Sequence, residues 1–213
     1  MRVACLFTGG KDSTLAAHLM ESNGYETILV TFMPKRKHSY MLHSENLNLT
    51  KLQAKALGMH HYMFYVSGIK EREVSEMLTC LKKLKEELEF DAICSGAVES
   101  EYQKQRIDYI SEKLHVPAFC PLWKRFSLLQ AYEDMEILVV KVSAYGLDKN
   151  CLGKQFKDIK NEFIHPFFEG GEAETAVLDA PFFNSRIIIL KKEIKWHKDW
   201  GELIIKDAEI REK

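Results

Sequence analysis

Lys11, Asp12 and Ser13 stand side by side in the string TGGKDS, residues 8–13. Two adjacent glycines, Gly9 and Gly10, let a backbone approach a ligand closely, Lys11 supplies positive charge, and the hydroxyls of Thr8, Ser13 and Thr14 supply neutral donors. The stretch therefore reads as a cradle for a pyrophosphate. It is not a P-loop, which needs a glycine, four spacers and then Gly-Lys-Ser/Thr; here the loop is shorter and an aspartate separates the lysine from the hydroxyl. A carboxylate beside phosphates repels them unless a divalent cation bridges the two, and Mg²⁺ is typically held by one or two carboxylates plus nucleotide oxygens. Asp12 is thus the candidate metal ligand. The competing reading is an ordinary strand-to-helix turn capped by Asp12.

The elements that must position these residues follow from periodicity. Short apolar runs at 3–7, 27–32, 61–66, 92–94 and 118–120 read as strands, and residues 13–22, 46–57, 71–88 and 101–114 carry apolar positions at helical spacing. Strand-helix alternation of this kind predicts an α/β fold, a doubly wound, Rossmann-like parallel sheet with crossover helices on both faces. Residues 8–13 form its first strand-to-helix turn, on the carboxyl edge where such sheets bind ligands. The pattern changes after Trp123. A strand at 136–143 is followed by a Gly-punctuated, acid-rich region at 144–180 and by alternating runs at 186–195 and 203–210, which read as a hairpin closed through WHKDWG. The expected organisation is a nucleotide-binding domain over 1–124 and a smaller, mixed α+β substrate-binding domain over 125–213.

Composition narrows the function classes. The 213 residues carry 30 basic and 31 acidic side chains, a formal charge of -1, so no bulk electrostatic grip on nucleic acid is expected. No apolar run approaches the roughly 20 residues needed to cross a bilayer, and the start of the chain lacks a signal-peptide pattern, which predicts a cytoplasmic protein with no membrane partner. The five cysteines are scattered singly, without zinc spacing; Cys5, Cys94 and Cys120 fall in apolar runs and read as buried small hydrophobes. His60, His61, His197 and the Trp196/Trp200 pair form no constellation.

The TGGKDS loop resembles the SGGxDS loop of the N-type ATP pyrophosphatases, with Thr8 in place of the leading serine. YMLHSEN at 40–46, SGAVESEYQKQRI at 95–107, PLW at 121–123, AYGLD at 144–148 and EGGEAETAVLDAPFF at 169–183 occur in the same order in the diphthine-ammonia ligases. The resemblance spans nearly the whole chain. Two departures stand out: the 149–168 connection is short and ends in HPFF, and Ala173 occupies a position that is commonly aromatic.

The resemblance implies amidation of the diphthine carboxylate on translation elongation factor 2, with ATP, Mg²⁺ and ammonium, through an acyl-adenylate. It implies catalytic roles for Lys11, Asp12, Ser13, Glu172 and Glu174, and nucleotide contacts from residues 8–14 together with Thr31, His43 and Gly96. Substrate contacts are expected from Tyr40, Asn46, Gln103, Arg106, Trp123, Tyr145, Glu169, Gly170, Gly171, Glu172, Glu174 and Thr175, with Phe167 and Phe168 as further aromatics. Diphthine carries a trimethylammonium group, which cannot donate hydrogen bonds and calls for aromatic faces and carboxylates. Gln103 and Arg106, three apart, share a helix face. The oligomeric state is left open, a homodimer included. Rival readings are an ATP pyrophosphatase that modifies tRNA, which would need a basic surface, and a non-catalytic ATP-binding module, which would need neither Asp12 nor the acid-rich second half.

Overall fold

The computed structural model describes residues 1–35 and 46–213. Its first half alternates β1 (Arg2–Leu6), α1 (Lys11–Ser22), β2 (Glu26–Pro34), α2 (Thr50–Leu57), β3 (His60–Val66), α3 (Arg72–Leu88), β4 (Ala92–Cys94), α4 (Glu101–Leu114) and β5 (Ala118–Phe119). The strands pair in parallel in the order β3-β2-β1-β4-β5. Side chains alternate across each strand, so β1 feeds two cores. Val3, Cys5 and Phe7 pack with Ala16, Ala17 and Leu57 of α1 and α2, while Ala4 packs with Met77, Leu81 and Ile110 of α3 and α4. Cys5 and Cys94 are register partners and buried, and burial holds the Cys5 thiol well above its ordinary range, so it packs as a small hydrophobe.

A second sheet follows, built from β6 (Glu136–Val142), β7 (Ala173–Asp179), β8 (Ser185–Trp196) and β9 (Gly201–Glu212), antiparallel in the order β7-β6-β9-β8. The closing hairpin is the one expected from the alternating runs. Strand β7 lies inside the stretch read as an acid-rich connection, and it is a correction to that reading. Its Ala176, Val177 and Leu178 are buried and it pairs with β6 along Leu138↔Ala176 and Val139↔Thr175, contacts that local composition does not reveal. The first core runs on without a break into this sheet, joining Phe7 and Leu15 to Val139, Val177 and Leu203. Among the described residues no helix is long and apolar enough to cross a membrane.

The turn after β1 is fastened to the second sheet. The Gly9 carbonyl accepts from the Val177 N–H at 3.0 Å and from Gln53 Nε2 at 2.7 Å, and Gln53 Nε2 also reaches the Val177 carbonyl at 2.9 Å. Gly9 has φ +75°, and a Cβ there would stand 2.0 Å from Gln53 Oε1, so both its conformation and the adjoining glutamine require glycine. At the end of β1, the Thr31 hydroxyl donates to the Phe7 carbonyl at 2.7 Å and therefore accepts from His61 Nε2 at 2.8 Å. Burial, aided by the Lys51 charge, lowers the His61 pKa to about 4.

Two outcomes are expected. Gln53→Leu strips a donor from two buried carbonyls and should cost about 1–3 kcal/mol, read from urea unfolding. Because the folded pKa of His61 lies below its ordinary 6.5, its contribution is full above that value and is lost as pH falls toward about 4. His61→Gln should accordingly flatten the wild-type loss of unfolding midpoint across that window.

Candidate functional site

Strand β1 leads to β2 on one side of the sheet while β4 and β5 lie on the other, so the connections diverge between β1 and β4. A cavity of about 450 Å³ opens there, within the range of small-molecule sites. Its floor is Thr8, Gly10, Lys11, Asp12, Ser13 and Gly96. One wall is apolar, with Val30, Phe32, Met77 and Ile107 beside Tyr102 and Gln103. The opposite wall comes from the second half of the chain: Phe167 and Phe168, then Glu169 to Gly171, and Ala173 to Thr175 on β7.

The loop is knit internally. Ser13 Oγ accepts from the Thr8 N–H at 3.1 Å and lies 3.2 Å from the Gly10 carbonyl. Helix α1 starts at Lys11 without a side-chain cap on Gly10, so its first turn presents amide N–H groups to the cavity floor. The Lys11 N–H is the exception, donating to Thr175 Oγ1 at 3.1 Å.

The Lys11 side chain points away from those amides. It is 3% exposed, and its ammonium donates to Asp12 Oδ2 at 2.7 Å and to the Phe167 carbonyl at 2.7 Å. The rings of Tyr132, Phe156 and Phe167 lie 5.5, 5.3 and 6.0 Å from it. A carboxylate, a carbonyl and three ring quadrupoles thus surround the ammonium. Asp12 Oδ1 accepts from the Tyr132 hydroxyl at 2.7 Å, and burial together with Asp12 pushes the Tyr132 pKa far up, so this phenol remains a donor. Glu169 is raised too, by burial first and by the nearby Asp12 charge second.

The other expected site residues divide by place. Glu174 lines the cavity and pairs with Lys141 across β6 and β7 at 2.8 Å. Gly170 and Gly171 line it with φ of +71° and +78°. Gly96 lines it as well, but the close approach it permits is to α1: a Cβ there would lie 2.7 Å from Asp12 C and Ser13 N. Several residues point elsewhere. Gly9 turns toward Gln53, Thr14 is fully buried in α1, and Thr31 is spent on Phe7 and His61. Asn46 fastens β9, donating to the Leu203 carbonyl and accepting from the Ile205 N–H. Arg106 is ion-paired with Glu71 and stacked 3.3 Å from the Tyr102 ring centroid, so it braces a cavity residue from behind. Trp123 carries the Lys124 ammonium 5.3 Å from its ring, and Tyr145 is 92% exposed. Glu172 does not line the cavity: its carboxylate accepts from the His165 N–H at 2.8 Å. Tyr40 and His43 lie outside the described residues.

Sequence reasoning passed over Tyr132, Phe156, His165 and Gln53. None sits in a string with a recognisable chemical pattern; the only signal was the HPFF that ends the short connection, valued there for its phenylalanines. Among the described residues no group of three or more His, Cys, Asp or Glu side chains is placed to hold a metal ion.

Comparison with known proteins matches residues 1–117 to the diphthamide synthase N-terminal domain and residues 124–210 to the diphthamide synthase C-terminal domain. A diphthine--ammonia ligase of Danio rerio is 29% identical over 231 residues, covering 93% of this chain and 90% of that protein. The Homo sapiens diphthine--ammonia ligase is 29% identical over 229 residues, covering 92% and 86%. Among solved structures, a predicted subunit of tRNA methyltransferase from Methanocaldococcus jannaschii aligns with a TM-score of 0.45 at 20% identity, covering 83% of this chain and 96% of that one.

Gly96→Ala should push the first turn of α1 out of place while leaving the fold intact. ATP binding, followed with a fluorescent analogue, is expected to weaken roughly tenfold or more, the scale of a lost charge-assisted contact set.

Proposed function

The chain belongs to the diphthamide synthase family, and from that premise we propose that it is an ATP-dependent ligase of the diphthine-ammonia type. It would convert the diphthine carboxylate of translation elongation factor 2 to the amide, consuming ATP and ammonium and releasing AMP and pyrophosphate. The observation that carries this reading is one shared cavity. The TGGKDS loop and the EGGEAET segment, some 160 positions apart in the chain, line one space and are hydrogen-bonded to each other through Lys11 N and Thr175 Oγ1.

A carboxylate is a poor electrophile, and adenylation provides AMP as its leaving group. In this reading the β and γ phosphates of ATP lie on the uncapped first turn of α1, with Thr8 and Ser13 hydroxyls beside them, and the adenosine lies along the apolar wall near Phe32 and Met77. The carboxylate of diphthine approaches the α phosphate from the side of Glu169 and Glu174. Lys11, expected to neutralise phosphate directly, acts instead by holding Asp12 and the Phe167 carbonyl in register. The trimethylammonium group suits the Phe168 and Glu169 side of the opposite wall, whereas the exposed Tyr145 stands outside the cavity.

Asp12 fits Mg²⁺. Its carboxylate accepts one hydrogen bond on each oxygen, which leaves acceptor sites free, and its side chain is 28% exposed toward the floor. Such a carboxylate, with Glu169 beside it, suits an ion bound mainly through phosphate oxygens and water. Bound there, the ion would supply charge neutralisation of the departing pyrophosphate.

The deciding assay incubates the protein with ATP, Mg²⁺, ammonium and diphthine-bearing elongation factor 2. A loss of about one mass unit from the factor, with stoichiometric AMP, is expected from carboxylate-to-amide conversion. Absence of both with a competent acceptor would reject the reading. Asp12→Ala should lower AMP formation roughly hundredfold; full activity would remove Asp12 from the metal site.

A further inference from the structure

His165 makes four hydrogen bonds, one of which ties the connection before β7 to the first half of the chain while three stay within residues 165–172. Its Nε2 lies 2.7 Å from Glu99 Oε2, in the connection between β4 and α4. A carboxylate only accepts, so Nε2 carries the proton. Its Nδ1 accepts from the Phe167 N–H at 3.2 Å, which uses the remaining lone pair and matches a proton on Nε2. The His165 N–H donates to Glu172, and the His165 carbonyl accepts from the Phe168 N–H at 2.9 Å. Phe167 then passes the connection on, its carbonyl holding the Lys11 ammonium at 2.7 Å.

Magnitude separates placement from stability here. The His165 and Glu99 side chains are 26% and 32% exposed, and a partly exposed pair of this kind contributes about 0–1 kcal/mol to folding. The same pair, however, is a second side-chain link, beside the Lys11 ammonium itself, from the first half to the loop whose carbonyl holds that lysine. A displacement of about 1 Å at a reacting centre can cost about a hundredfold in rate.

We propose that His165 is a positioning residue: its imidazole, tied to Glu99 of the first half, sets the Phe167 carbonyl that holds the Lys11 ammonium and thereby fixes the TGGKDS loop against the EGGEAET wall during ligation. Glu172 serves the same clasp by anchoring the His165 backbone. The inference rests on the ligase reading for its kinetic readout, whereas the state of Lys11 reports on it independently.

The test compares His165→Ala, His165→Asn and Glu99→Ala with the wild type. Asparagine places an amide oxygen near the position of Nδ1 and so keeps an acceptor for Phe167, while Glu99→Ala breaks the clasp from the far side without touching the Phe167 loop. In ¹⁵N-labelled protein the buried Lys11 ammonium should give a protected NH₃⁺ signal that is lost in His165→Ala, weakened in Glu99→Ala and at least partly kept in His165→Asn. With diphthine-bearing factor, kcat should fall about tenfold to a hundredfold in His165→Ala, with the KM for ATP within about threefold of wild type. In a Lys11→Met background the same substitution should cost less than about twofold, because the two act in series. An unchanged Lys11 signal in both His165→Ala and Glu99→Ala, or effects that simply multiply, would overturn the proposal. A wild type that makes no AMP would remove the ligase reading instead, and the Lys11 signal would still decide the clasp.

Discussion

The Gly9 carbonyl is the point on which the two halves of the molecule turn. It accepts from the Val177 N–H and from Gln53, and two residues further on the Lys11 N–H donates to Thr175. Within the loop only the Thr8 N–H is taken up by a side chain of α1, that of Ser13, and the rest of the stiffening comes from outside. Strand β7 supplies a backbone N–H and a hydroxyl, and α2 supplies a buried amide, which leaves the rest of the first turn of α1 facing the cavity.

That arrangement explains why a charged residue is buried at the junction. Lys11 would be costly in an apolar core, and removing any one of its partners would leave a charge uncompensated. The carboxylate of Asp12, the Phe167 carbonyl and the rings of Tyr132, Phe156 and Phe167 together make the burial tolerable. All but Asp12 come from beyond residue 124, so the lysine records in its surroundings how the second half is seated. The same seating brings Glu169 close enough to Asp12 for the Asp12 charge to add to the rise that burial imposes on Glu169.

Much of the architecture was legible before any coordinates. The strand-helix alternation of the first half, the turn at 8–13 and the closing hairpin are local patterns, carried by periodicity and turn residues, and they appear where expected. The five ordered strings pointed to the same family that both domain matches report. Strand β7 was hidden because glutamates at its start and a glycine pair before it look like a loop, while its pairing partner lies more than 30 residues upstream. Glu172 was read as chemistry because it sits in an acidic motif; only its contact with the His165 backbone shows where its carboxylate goes. Arg106 likewise shares a helix with Gln103, yet the ion pair with Glu71 turns it behind Tyr102.

By itself the sequence determined the parallel sheet, the placing of TGGKDS at a strand-to-helix turn and the family to which the chain belongs, because these depend on period, glycine positions and strings of adjacent residues. Only the tertiary structure decided that Lys11 faces Phe167 rather than the first-turn amides of α1, that Tyr132 donates to Asp12, and that His165 spans to Glu99. Those contacts join residues 66 to 156 positions apart. Hydrogen bonds reach only about 3 Å, and which distant groups come within that reach is set by how the two sheets pack around one core, not by the order of residues along the chain.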